Sequence, residues 1–122
     1  MTPYDVAIVG GRCSGAPLAT HLARRGLRVC VLDKARFPSD TPSTHIIQPR
    51  GTQALERLGV QAALHDAAPL RRVTLLYDGV ELEADYLDPR APDYLSTGNT
   101  TGLNVRRTVL DAALQHLSLI HI

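Results

Sequence analysis

The residues best suited to do chemistry lie near the start of the chain, in VAIVGGRCSGAPLATHLARRGLRVCVLDKA, residues 6 to 35. Gly10, Gly11 and Gly15 surround Arg12, Cys13 and Ser14, between a short apolar run and a helix-forming run. A glycine-rich turn that opens a helix is a ready-made anion site. Backbone N–H groups there lack intrahelical partners, and the helix dipole adds partial positive charge. In the pattern G-x-G-x-x-G, the first glycine makes the tight turn, the second allows close approach to a pyrophosphate, and the third permits helix–strand packing. Gly10 and Gly15 stand at the first and third positions, and Arg12 replaces the second. The Arg12 side chain has two readings, as a charge partner for a phosphate or as a solvent-facing group whose backbone alone makes the turn.

An acid closes the unit. Asp33 follows the second apolar run and is placed to accept hydrogen bonds from ribose hydroxyls, with a capping role in the next loop as the plain alternative. A carboxylate there repels a 2′-phosphate, so FAD or NAD is favoured over NADP, although Lys34 and Arg36 weaken that exclusion.

The elements that must position these residues can be read from the pattern. Tyr4 to Val9 predicts a parallel strand. Ala16, Ala19, Leu22 and Ala23 share one face of a helix that tolerates Pro17 in its first turn and ends at Gly26. Leu27 to Leu32 predicts the second strand. Residues 36 to 48, with prolines at 38 and 42, read as a long loop. Gly51, Ala54, Leu55 and Leu58 predict a helix closed by Gly59, followed by a helical turn or two over residues 60 to 67. Asp78-Gly79 predicts a hairpin, placing Val73, Leu75 and Tyr77 opposite Val80, Leu82 and Ala84. Residues 88 to 101 read as a loop, and Val109, Leu110, Ala113, Leu114 and Leu117 mark an amphipathic helix.

The remaining composition is that of an ordinary globular chain. The 122 residues are 44% hydrophobic and 20% charged, with a formal net charge of +1. That charge gives no electrostatic case for nucleic acid. No apolar run reaches the roughly 18 residues of a membrane span, and no basic segment precedes the first apolar run as in a secretion signal. Cys13 and Cys30 read as buried thiols in a reducing compartment, so a cytoplasmic location is expected. No catalytic residue and no metal site is assigned. His45 invites an acid–base role, but structural hydrogen bonding is the preferred reading. Tyr77 and Tyr86 read as packing residues.

Three segments together, the nucleotide-type motif of residues 4 to 38, PRGTQALERLGV and RRTVLDAAL, resemble the FAD-dependent oxidoreductases related to para-hydroxybenzoate hydroxylase. That group includes aromatic-ring monooxygenases, geranylgeranyl reductase-like enzymes and flavin-dependent halogenases. The resemblance implies an α/β, doubly wound, Rossmann-like FAD-binding domain over residues 1 to 116, with a hairpin insertion near residues 71 to 86. It implies that Gly10, Gly11, Arg12, Cys13, Ser14 and Gly15 hold the FAD pyrophosphate, with Asp33 and Lys34 at the adenosine ribose. Arg107, with Arg106 as a competing match, corresponds to an arginine that contacts the flavin, and Arg50 falls where a residue near the flavin is common. The implied activity is NADH- or NADPH-dependent monooxygenation of a small organic substrate. Reduction of an isoprenoid or lipid double bond and halogenation are alternatives within flavin chemistry. An NAD-binding dehydrogenase and a non-catalytic nucleotide-binding module are alternatives outside it.

The family's later Gly-Asp motif does not follow Arg107, which reads as an N-terminal fragment, inactive by itself. The final six residues, LSLIHI, fit the codons CTG TCT CTT ATA CAC ATC of a transposon-end sequencing adapter, so residues 117 to 122 are expected to be non-native. Amplifying the locus from genomic DNA is expected to return a different continuation after His116; the same six codons followed by a stop would overturn this.

Overall fold

The computed structural model describes residues 3–85 and 101–121. A strand β1 (Val6–Val9), a helix α1 (Gly15–Ala23) and a strand β2 (Val29–Leu32) form the expected βαβ unit, with β1 and β2 parallel and Val6 opposite Val29. One ion pair fixes where that sheet begins. Arg28 donates its backbone N–H and a guanidinium N–H to Asp5, at 2.8 and 2.9 Å. These bonds hold the Asp5 carboxyl down to a pKa of about 2. Ile8, Ala19 and Val29 form a small core between α1 and the strands. Gly26, at φ 84°, turns the chain out of α1, and its N–H donates to Ala23.

The loop after β2 ends in a two-residue strand β3 (Ile46–Ile47), which leads into α2 (Pro49–Leu58). Pro49 starts the helix, where a missing N–H costs nothing, and Gly59 closes it at φ 88°. A single 3-10 turn at Gln61–Leu64 stands where one or two helical turns were expected. The short strand β4 (Ala68–Leu70) comes next, followed by the hairpin strands β5 (Arg72–Tyr77) and β6 (Val80–Asp85). Asp78 and Gly79 both have positive φ, as a two-residue hairpin turn requires, and the register pairs Val73 with Ala84, Leu75 with Leu82 and Tyr77 with Val80. Beyond the second described segment's start lie β7 (Gly102–Asn104) and α3 (Arg107–His121). β7 is the centre of a small antiparallel sheet in the order β3-β7-β4.

The main core joins α1, α2 and α3. It contains Ala16, Leu55, Leu58, Val60, Leu64, Leu103, Val105, Leu110 and Leu114. The α/β, Rossmann-like architecture is therefore the one expected, although the described residues contribute only two strands to the parallel sheet. Several local expectations are corrected. Val109 is 45% exposed, because Leu110 and Leu114 take the buried line of α3 one position further round. Tyr77, 83% exposed, does not pack on the domain, because the hairpin stands clear of the core. Cys13 is exposed rather than buried, because it sits on the glycine turn. Helix α3 runs on through residues 117 to 121, which does not bear on the expected non-native origin of that tail, and Ser118 is buried and donates to the Gln115 carbonyl. Tyr86 and residues 88 to 100 of the loop expected over residues 88 to 101 lie outside the described residues.

Leu114 is almost fully buried in the main core. Leu114→Ala is expected to cost about 2–5 kcal/mol of stability, by lost transfer free energy and a residual cavity. Urea denaturation checks this against Val109→Ala, at an exposed position on the same helix.

Candidate functional site

The glycine turn is built by steric necessity. Gly10 has φ 101°, a conformation an L side chain rarely adopts. A Cβ at Gly15 would overlap the Gly10 carbonyl, so α1 can start this close to β1 only with glycine there. Ser14, at the cap, makes no side-chain bond to the helix N-terminus and leaves it open for an outside acceptor.

Asp33 closes the turn from the end of β2. Its Oδ2 accepts the Gly11 N–H at 2.7 Å, and its Oδ1 accepts the Ala35 N–H at 2.8 Å. The Gly11 bond first, and the Ala35 bond second, hold the carboxyl below the usual carboxylate range. A carboxylate has about four acceptor positions, so two remain for ribose hydroxyls.

The strongest polar cluster of the described residues lies behind the turn and involves a residue that the sequence pattern did not single out. Asp111 on α3 is fully buried. Its Oδ2 accepts Arg12 Nη1 at 2.6 Å and Arg107 Nη2 at 3.1 Å. Its Oδ1 accepts Arg107 Nε at 3.1 Å, Arg107 Nη2 at 3.0 Å and the Cys13 thiol at 3.3 Å. Arg12 also donates to the carbonyl and hydroxyl of Ser39 and lies 5.0 Å from the centroid of the Phe37 ring. It is thus neither a solvent-facing side chain nor a free one. Partial desolvation of the sulfur first, although the residue as a whole is exposed, and the Asp111 bond second, push the Cys13 thiol pKa up. One turn further along α3, Gln115 donates to the Gly11 carbonyl at 3.3 Å. Removing one partner from a buried charge pair typically costs about 3–5 kcal/mol. A signal existed in the sequence, since Arg107, Asp111 and Gln115 recur every fourth residue, but the apolar stripe of the same helix masked it.

Two clefts meet at this cluster. The first, of about 750 Å³, runs from Leu32, Asp33 and Lys34 along Gly10, Arg12, Ser14 and Gly15 to Cys13 and Arg107. The second, of about 460 Å³, lies between α1 and α2 and is mostly apolar, with Leu55, Leu58, Leu110 and Leu114 beside His21, Ser43 and His45. Cys13 and Arg107 line both. Small-molecule sites commonly measure about 300–1,000 Å³. A glycine cradle that excludes side chains, an open helix N-terminus, two guanidiniums and a carboxylate at the far end suit a dinucleotide. The residues present fit such a group.

The sequence-predicted residues separate into two sets. Gly10, Arg12, Cys13, Ser14, Gly15, Asp33, Lys34 and Arg107 share the first cleft, and Gly11 is buried behind it on Asp33. Arg107, not Arg106, reaches the glycine turn; Arg106 is exposed on another face. Arg50 is exposed in the first turn of α2 and lines neither cleft. His45 corrects the expectation of structural ring hydrogen bonding. Its backbone is anchored by the Val105 N–H and the Ser43 hydroxyl, but its buried Nδ1 has no partner among the described residues, and its φ is 58°.

A βαβ unit with a glycine turn, an open helix N-terminus and a terminal acid defines a dinucleotide-binding domain. A family model described as FAD binding domain matches residues 3–115, and the chain belongs to that family. Among curated proteins, it is 36% identical over 90 residues to a menaquinone reductase of Mycobacterium tuberculosis, covering 74% of this chain and 22% of that protein. It is 31% identical over 105 residues to a squalene monooxygenase of Eremothecium gossypii, covering 79% of this chain and 21% of that one. The chain thus spans about a fifth of these relatives' length. Solved structures share the fold. A flavin-dependent brominase superposes with a TM-score of 0.79 at 20% identity, over 98% of this chain and 28% of that one. The p-nitrophenol 4-monooxygenase of Pseudomonas putida gives 0.74 at 21% identity, over 95% and 29%.

A carboxyl whose folded pKa is depressed adds stability above its unfolded value, and the contribution fades as pH falls through the folded one. The Asp33 contribution is therefore complete above about pH 4 and declines below it. Asp33→Asn is expected to be less stable than the parent at pH 7, with the gap narrowing at pH 3. Denaturant midpoints at both values check this, and an equal gap at both would refute it.

Proposed function

We propose that this chain is the nucleotide-binding part of an FAD-dependent oxidoreductase, with monooxygenation of a small organic substrate as the leading activity. The observation that carries the proposal is the first cleft, which joins a side-chain-free glycine turn to a carboxylate already fixed by backbone N–H groups. In this reading the N-terminus of α1 and the Arg12–Arg107 pair hold the diphosphate, and Asp33 orients the adenosine ribose. The flavin end extends toward the apolar second cleft, because Cys13 and Arg107 belong to both. When bound, FAD would supply the redox chemistry. The chain's own residues bind and orient it, and the leucines of the second cleft keep water from one side.

NADH or NADPH is the proposed electron donor, as the resemblance implies. Family membership supports FAD over NAD. The squalene monooxygenase relative supports oxygen transfer. The menaquinone reductase relative favours a second reading, reduction of an isoprenoid or quinone-type substrate, for which an apolar cleft is equally suited. The two unpaired cysteines support a cytoplasmic location within this reading. No helix of the described residues is long and apolar enough to cross a membrane.

The test is to recover the full-length gene, purify its product and record the visible absorption spectrum. Flavin bands, with FAD released on denaturation, are expected, followed by NADH or NADPH oxidation that a substrate accelerates. A colourless folded protein that takes up no added FAD would refute the proposal.

A further inference from the structure

The cluster behind the turn has a property that neither arginine has by itself. Asp111 is fully buried and uses both carboxylate oxygens, yet it faces two guanidiniums, so the group carries more positive than negative charge. Arg12 and Arg107 keep side-chain exposures of 25% and 17%, and both line the first cleft. Two guanidiniums this close repel each other in a partly buried site, where Coulomb forces are screened less than in water. Asp111 is what lets them share the space. The Arg12 fork spans Asp111 and Ser39 at once, which ties α3 to the loop that follows β2.

We propose that Asp111 is a positioning residue for the diphosphate of a bound dinucleotide, setting the placement and surplus charge of the Arg12–Arg107 pair at the glycine turn. This rests on the proposed FAD reading. Asp111 touches no ligand in this account and acts through the arginines. Arg107, Asp111 and Gln115 form one polar stripe along α3, so a single helix face sets both the charge and the backbone position of the turn. The Cys13 thiol, donated to Asp111 Oδ1, reports on the same carboxylate.

The test uses the full-length protein and its Asp111→Asn variant, which keeps shape and removes charge. FAD affinity is read by flavin fluorescence quenching. The pH dependence of Cys13 alkylation is read by peptide mass spectrometry in the FAD-free protein, with Cys30 as internal reference. The expected result is at least tenfold weaker FAD binding together with a Cys13 profile moved to lower pH. A smaller loss of affinity, or an unmoved Cys13 profile, overturns the proposal. Should Asp111→Asn not fold, Asp111→Glu decides, since it keeps the charge but moves the carboxylate that the Arg12 and Arg107 guanidiniums share. At least tenfold weaker binding supports the positioning role, and any smaller loss overturns it. An unsubstituted protein that binds no FAD would instead refute the underlying FAD reading, whatever the variants do.

Discussion

The buried carboxylate of Asp111 is the interaction on which the rest of this domain's functional end depends. It sits on α3, nearly a hundred residues along the chain from the turn it serves, and gathers Arg12, Cys13 and Arg107 around itself. A buried acid without partners would cost several kcal/mol in lost solvation. With two guanidiniums and a thiol donating to it, the same group becomes a tie between the first and last described elements. Gln115 adds a second tie one helical turn away, to the Gly11 carbonyl. The helix is thus held to the turn by polar contacts along one line and to α1 and α2 by leucines along another.

That arrangement explains how a turn with an arginine in place of its middle glycine keeps its form. Gly11, next to the substituted position, takes the backbone role there: its N–H bonds Asp33, its carbonyl accepts Gln115, and a Cβ would crowd both Gln115 and Val31. Arg12 is then free to turn its side chain away from the tightest part of the loop, toward Asp111, Ser39 and Phe37. The substitution moves the close approach by one residue and adds charge beside it. Both changes are compatible with an anionic ligand at the helix N-terminus.

The two clefts divide the chemistry by polarity. The one along the turn has charge at each end and backbone in the middle; the one between α1 and α2 is walled by leucines and prolyl and alanyl carbon. A ligand with a charged, hydrogen-bonding half and a flat apolar half suits the pair. The exposed apolar residues of the β5–β6 hairpin, Leu75, Leu76, Val80 and Leu82, are a separate matter, since the hairpin makes its own ladder and little else. The matched part of this chain makes up about a fifth of the relatives' length.

The sequence by itself determined the elements whose signals are local. The βαβ unit followed from apolar runs broken at Gly10 and Gly26, α2 from its spacing and Gly59, and the hairpin with its register from Asp78-Gly79. In each case the turn residue and the periodicity lie within a few positions of one another. Strands β3, β4 and β7 were not legible, because two or three residues carry no period and acquire their state only by pairing across the chain. The same distance hid Asp111. Beside Val109 and Leu110 it reads as one more polar residue on an amphipathic helix, and its burial is decided by Arg12 arriving from the other end of the chain. The sequence located the turn and its acid, and tertiary structure alone decided which charges stand behind them, because a buried ion pair is stable only where both partners are brought together.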